Sequence, residues 1–261
     1  MLGKHIFMLA LKPSVRALQH FALVLPFTLS IPLCMAEDLR AYTERFPPFN
    51  YQQDDGEPTG LAYEVMMLTA AKAKLKINTE FLPWPRAVKL NAEDANSILF
   101  TTVRTPPRET SYMWVGPFDP CDISLLKLNR RNDIQLKQIS DAFRFNIGLP
   151  AFGADIETLT RLGFPAERLQ KIPPSGNLAK MLFAQRFDMI SGIQLSYAYE
   201  ARMLGFSGSE ITPAIQLKPG LGCYFAFNPK VDPNLYQRFS RAFQELVQDG
   251  SIQKLKAKYL Q

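Results

Sequence analysis

SILFTTVRTPPRE, residues 97–109, reads as an apolar strand that runs into a rigid turn carrying two arginines. The run 97–102 has the composition of a strand. Pro106 and Pro107 fix φ and hold the residue before them extended. Arg104 and Arg108 flank this turn, and a guanidinium offers a planar fork of donors suited to a carboxylate or a phosphate. Alone, the stretch is either an anion clamp or a surface turn with two solvated charges. Its surroundings decide, because open α/β sheets bind ligands outside the carboxyl ends of their strands.

Outward from this strand, short β-like runs alternate with helical patterns, which predicts an α/β fold. Upstream, 39–42 and 77–81 read as strands. Between them Leu61, Val65, Met66, Leu68, Thr69 and Lys72 mark a helix, and 85–90 is a short helix with Pro85 in its first turn. Downstream, 123–129 is a strand, after which the pattern restarts. Strands are expected at 145–149, 169–172 and 188–191, and helices at 154–162, 178–185 (capped by Ser175) and 195–204. The chain closes with a strand at 222–227 and a helix opened by Asp232-Pro233. Gly250 interrupts that helix and 251–259 restarts it. The strands near 123–129 and 222–227 bracket a second, smaller α/β lobe and are candidates for the crossings between lobes.

The amino-terminal stretch stands apart. Residues 1–20 carry Lys4, Lys12 and Arg16 and no acid, and FALVLPFTLSIPL (21–33) is an apolar run of signal-peptide length. Small residues at Cys34 and Ala36 predict cleavage after Ala36 and export to the periplasm. Loss of residues 1–36 lowers the net charge from +6 to +3, too little to imply nucleic acid. Both histidines, His5 and His20, leave with it. This excludes Ser-His-Asp and Cys-His catalysis and histidine-ligated metals from the exported chain. No cofactor and no metal are expected. Cys121 and Cys223 remain, either paired in an oxidising compartment or buried as thiols.

Six segments in this order resemble the periplasmic solute-binding proteins of the amino-acid type, family 3. They are YTERFPPFNY (42–51), GEPTGLAYEVM (56–66), FLPWPRAV (81–88), TPPRE (105–109), WVGPFDP (114–120) and the closing helices from NPKVDP to LKAKY (228–259). The resemblance covers 38–261. It implies two α/β lobes joined by two hinge strands, with a ligand cleft between them. Lobe one would be 37–122 and 222–261, and lobe two 123–221. It further implies a monomer that closes on a small carboxylate-bearing solute and delivers it to an inner-membrane ABC permease.

The same resemblance assigns roles. TPPRE matches the Thr-x-x-Arg signature, which makes Arg108 the fork for a ligand carboxylate rather than a surface partner of Glu109. Phe46 matches an aromatic that lies over the ligand. Trp84 and Arg86 are candidates for the cleft mouth, Thr101 and Thr102 for hydroxyl donors, and Phe152 and Gly153 for a helix entry that meets an anion. Arg104 is either solvated or a second cation in the cleft. The family's second-lobe acid falls in SGIQ (191–194), where there is none. Either Glu44 or another acid substitutes, or the ligand is not a standard α-amino acid. Cys121 and Cys223 would lie beside the crossing strands, where a bridge would staple the hinge.

Two other functions fit the resemblance. One is a cyclohexadienyl-dehydratase-like enzyme, in which an acid such as Glu44 would act. The other is a sensor that passes occupancy to a membrane receptor. A non-catalytic binder is the expected function.

Overall fold

A computed structural model describes residues 38–173 and 176–259. The expected export signal and Ser175 lie outside them. In chain order the first elements are β1 (Asp38–Thr43), β2 (Tyr51–Gln52), β3 (Pro58–Thr59), α1 (Leu61–Ala73), β4 (Lys76–Phe81), α2 (Trp84–Glu93), β5 (Ser97–Val103) and β6 (Met113–Pro120). Next come β7 (Ile123–Leu128), β8 (Ile147–Pro150), α3 (Ala154–Arg161), β9 (Leu169–Ile172), α4 (Leu178–Phe183), β10 (Met189–Gly192), α5 (Gln194–Met203) and β11 (Ile211–Lys218). The chain ends with β12 (Gly222–Phe227), α6 (Pro233–Gln248) and α7 (Ser251–Ala257).

These strands form two five-stranded sheets, ordered β4-β1-β5-β12-β6 and β11-β7-β10-β8-β9. In each, three parallel strands (β4-β1-β5 and β10-β8-β9) continue into an antiparallel pair. This is the two-lobe, type II periplasmic-binding-protein architecture. The central strand β5 is buried along its whole length, as a strand covered on both faces must be. Its sheet is packed by α1 and α6 through Leu61, Val65, Met66, Leu235, Phe239 and Phe243. Arg238 of α6 donates to the carbonyls of Ala73 and Lys74 at 3.0 and 2.8 Å, satisfying the free C-terminal end of α1.

Several expectations are corrected in detail. Leu68 is not on the inward face of α1; it is 38% exposed, and Ala62, Ala70 and Ala73 are buried instead. α4 is capped by Asn177, whose side chain accepts from the Lys180 amide, and it stops two residues short of 185. The expected crossing strands are not crossings. β7 pairs with β10 and β11 inside the second sheet, and β12 pairs with β5 and β6 inside the first. The chain passes between sheets through residues 121–122 and 219–221.

Those two passages run side by side and are tied together. Cys121 and Cys223 form a disulfide with their Cα atoms 5.3 Å apart. The Cys121 amide donates to the Leu221 carbonyl at 2.9 Å, and the Leu221 amide donates to Asp122 Oδ1 at 2.9 Å. The bridge joins residues 102 positions apart. Closing so long a loop constrains the unfolded chain by about 4–5 kcal/mol in the chain-entropy model. A Cys121→Ser/Cys223→Ser double variant should therefore melt up to about 10 °C lower in a calorimetric scan. Peptide mapping of the exported wild type without reductant should recover the linked pair.

Candidate functional site

A cavity of about 200 Å³ lies between the two sheets. This is below the roughly 300–1,000 Å³ common for drug-sized ligands, and suits a small solute. One wall comes from the first sheet's side: Glu44, Arg45 and Phe46 after β1, Trp84 at the start of α2, Thr101 and Val103 of β5, and Arg108. The other wall comes from Phe152, Gly153 and Asp155 at the entry of α3 and from Ser196, Tyr197 and Glu200 of α5.

Of the residues singled out in the sequence, Arg108, Phe46, Trp84, Thr101, Phe152 and Gly153 line this cavity. Arg86 and Thr102 do not. Arg86 is exposed one turn into α2. Thr102 is excluded by the backbone. Thr101 has φ 58°, and the pairing of β5 with β12 skips it, from Phe100↔Phe225 to Thr102↔Tyr224. Thr101 is thus the bulged residue, a left-handed conformation that costs a threonine about 1–3 kcal/mol. Its hydroxyl donates to Asn50 Oδ1. The Thr102 hydroxyl is buried away from the cavity. Gly153 has φ 122°, which a side chain would strain, and it turns the chain from β8 into α3.

The two arginines have different partners. Arg104 forks Glu109 through Nε at 2.8 Å and through Nη2, and its guanidinium lies 5.5 and 5.4 Å from the ring centres of Trp114 and Tyr224. It does not line the cavity. Arg108 lies 5.9 Å from the Trp84 ring centre and is bound across the cleft. Its Nε and Nη2 donate to Glu157 Oε1 at 3.0 and 2.6 Å, while Thr105 Oγ1 donates to Glu157 Oε2 at 2.8 Å. The signature pair Thr105 and Arg108 therefore holds a carboxylate supplied by α3. Two further contacts join the walls: Ser196 Oγ donates to the Pro47 carbonyl at 2.6 Å, and the rings of Tyr51 and Tyr199 lie 5.7 Å apart.

Two acids of the second lobe lie at the cavity, though not in the SGIQ segment. Asp155 and Glu200 line the cavity opposite Glu44. Burial pushes the Glu44 carboxyl from its ordinary 4.5 to about 7; Asp155 pushes the same way and Arg108 opposes. Burial also raises Asp155, against the Ser191 hydroxyl that donates to it at 2.5 Å. Glu200 is raised by burial, against Arg45 and the Ala179 amide. Asp188, just before β10, is structural: it accepts from Arg131 at 3.2 Å and from the Asn146 amide at 3.0 Å. Among the described residues no group of three or more His, Cys, Asp or Glu is arranged to hold a metal ion.

A cleft between two α/β lobes linked by paired passages is the arrangement of two-lobe binding proteins. The chain belongs to the bacterial extracellular solute-binding proteins, family 3, whose model matches residues 39–261. Among solved structures, a histidine kinase sensor domain with similarity to periplasmic binding proteins aligns with a TM-score of 0.76 at 16% identity, over 86% of this chain and 96% of that one. A putative L-cystine ABC transporter from Listeria monocytogenes aligns at 0.73 and 14% identity, over 86% and 96%. An ancestral amino acid-binding protein, a precursor of cyclohexadienyl dehydratase, aligns at 0.70 and 16%, over 86% and 95%. At such identities the likeness is one of fold. A sequence comparison with curated proteins finds no match.

Glu44 gives the site a pH signature. Its folded pKa lies above its ordinary value, so between pH 4.5 and about 7 the unfolded chain releases a proton that the folded protein keeps. Stability contributed by the protonated group is present below pH 4.5 and lost as pH rises through about 7. Glu44→Gln should flatten the melting temperature across that window by a few degrees and leave the slope due to Asp155 and Glu200; thermal melts at stepped pH measure it.

Proposed function

We propose that this is an exported, non-catalytic binding protein that captures a small amine-bearing solute between its lobes. The observation that carries the reading is the cavity itself. Three acids, Glu44, Asp155 and Glu200, line it beside Phe46, Trp84 and Tyr197, and aromatic rings can attract a cation. An ammonium placed among them gains partners that its burial requires. Phe46, Trp84, Thr101, Phe152 and Gly153 are proposed solute contacts. A carboxylate on the solute has Arg108 to go to, as the Thr-x-x-Arg signature implies, and reaches it by displacing Glu157.

Family membership supports a fuller reading of the chain. Residues 1–36 would direct export and be removed after Ala36. Lobe one would comprise 37–122 and 222–261 and lobe two 123–221, hinged at the stapled passages. The monomer would deliver its solute to an inner-membrane ABC permease, with no part for nucleic acid. Partner capture with a permease rather than a receptor ectodomain separates this role from the sensory one that the kinase sensor domain suggests.

A second reading, acid catalysis, is favoured by one observation: Glu44 is pushed up to about 7, where a carboxyl can donate a proton near neutrality. Turnover of prephenate or arogenate that disappears in Glu44→Gln would establish it in place of simple capture.

Native mass spectrometry of the protein purified from its own periplasm should show an adduct of one small cationic solute. Asp155→Asn and Glu200→Gln should each weaken that solute about ten- to hundredfold, the worth of a hydrogen bond to a charged group. A co-purified anion, or affinity unchanged in both variants, would refute the reading.

A further inference from the structure

We propose that Glu157 is a specificity residue: it fills from within the carboxylate site formed by Arg108 and Thr105, so that the cavity takes a small amine lacking a carboxylate in preference to the corresponding amino acid. The inference rests on the amine-binding reading above and names the solute class of that same site.

The geometry is that of a bound carboxylate. One oxygen of Glu157 receives both the Nε and Nη2 donors of Arg108, at 3.0 and 2.6 Å, and the other receives the Thr105 hydroxyl at 2.8 Å. Both oxygens are engaged, and the Arg108 side chain is only 14% exposed. Charge-assisted hydrogen bonds of this kind are stronger than those between neutral groups. Glu157 projects from the first turn of α3, on the wall opposite Arg108, so that its bond spans the cleft. A carboxylate arriving in solution must displace one that is tethered, and short tethers give effective concentrations in the mM range.

The charge balance of the cavity follows. Glu157 neutralises Arg108. Facing the solute are then Glu44, Asp155 and Glu200 against Arg45, which is exposed at the rim. A zwitterionic amino acid brings an anion among these acids and must also break the Glu157 bonds. Its decarboxylated amine brings the cation alone and leaves those bonds intact. The same residue therefore ties the two walls together and discriminates by the presence of a carboxylate, using occupied donors rather than a new contact.

The test uses matched pairs that differ by one carboxylate: arginine and agmatine, lysine and cadaverine, ornithine and putrescine, phenylalanine and phenethylamine. Each is titrated calorimetrically into the full exported protein and into Glu157→Ala, with Glu157→Gln as an isosteric control that keeps the helix turn. For at least one pair the wild type should bind the amine about tenfold or more tightly than the amino acid. Glu157→Ala should close or reverse that ratio by strengthening the amino acid. Wild-type binding of an amino acid as tightly as its amine, or a ratio unchanged by Glu157→Ala, overturns the inference and leaves amine capture standing. Failure of every amine and every amino acid to bind the wild type overturns both.

Discussion

The carboxylate of Glu157, shared by Arg108 and Thr105, is the interaction on which the rest of the site depends. It is an ion pair between elements that belong to different sheets, Arg108 just after β5 and Glu157 on α3. Because it lies mostly out of water, it is not a surface pair of negligible worth. Removing either partner would leave a charge half-buried and unmatched, which is the expensive outcome. The bond fixes where the two walls meet and therefore the size of the cavity. It also determines which charges remain to face a solute.

The two sheets of the scaffold are joined in one place. The two passages between sheets lie beside each other, held by the disulfide and by the hydrogen bonds of Cys121, Asp122 and Leu221. A staple along the hinge resists separation of the passages without resisting a bend across them. Closure of two lobes about such a hinge is an established response to a ligand. In this structure the two walls are also joined directly, through Glu157, Ser196 and the Tyr51–Tyr199 contact.

Much of the fold was legible in the sequence because periodicity and caps are local signals. β9 and β12 begin and end where the sequence predicts, and Asp232 caps α6 by accepting from the Asn234 and Leu235 amides. The strands β6 and β11 were not legible. Both are edge strands carrying prolines, Pro117 and Pro120 in one and Pro213 in the other. An edge tolerates proline, whereas a sequence pattern reads proline as a break. The site was legible in part for a similar reason. Arg108 and Trp84 follow directly from motifs near strand ends. The bulge that turns Thr101 inward and Thr102 away is set by pairing with β12, more than a hundred residues later. The acids were missed because Asp155, Glu157 and Glu200 come from helices whose inward face depends on how the second lobe packs. A clue was available: Phe152-Gly153 marked the entry to α3, and Asp155 and Glu157 occupy its first turn, where acids favour the positive end of a helix.

The most direct test of the account is small-angle scattering from the exported protein stripped of solute, compared with its Glu157→Ala variant. If Glu157 holds the lobes together through Arg108, the wild type is compact without solute and the variant has a larger radius of gyration. A solute-free wild type as expanded as the variant would contradict the account.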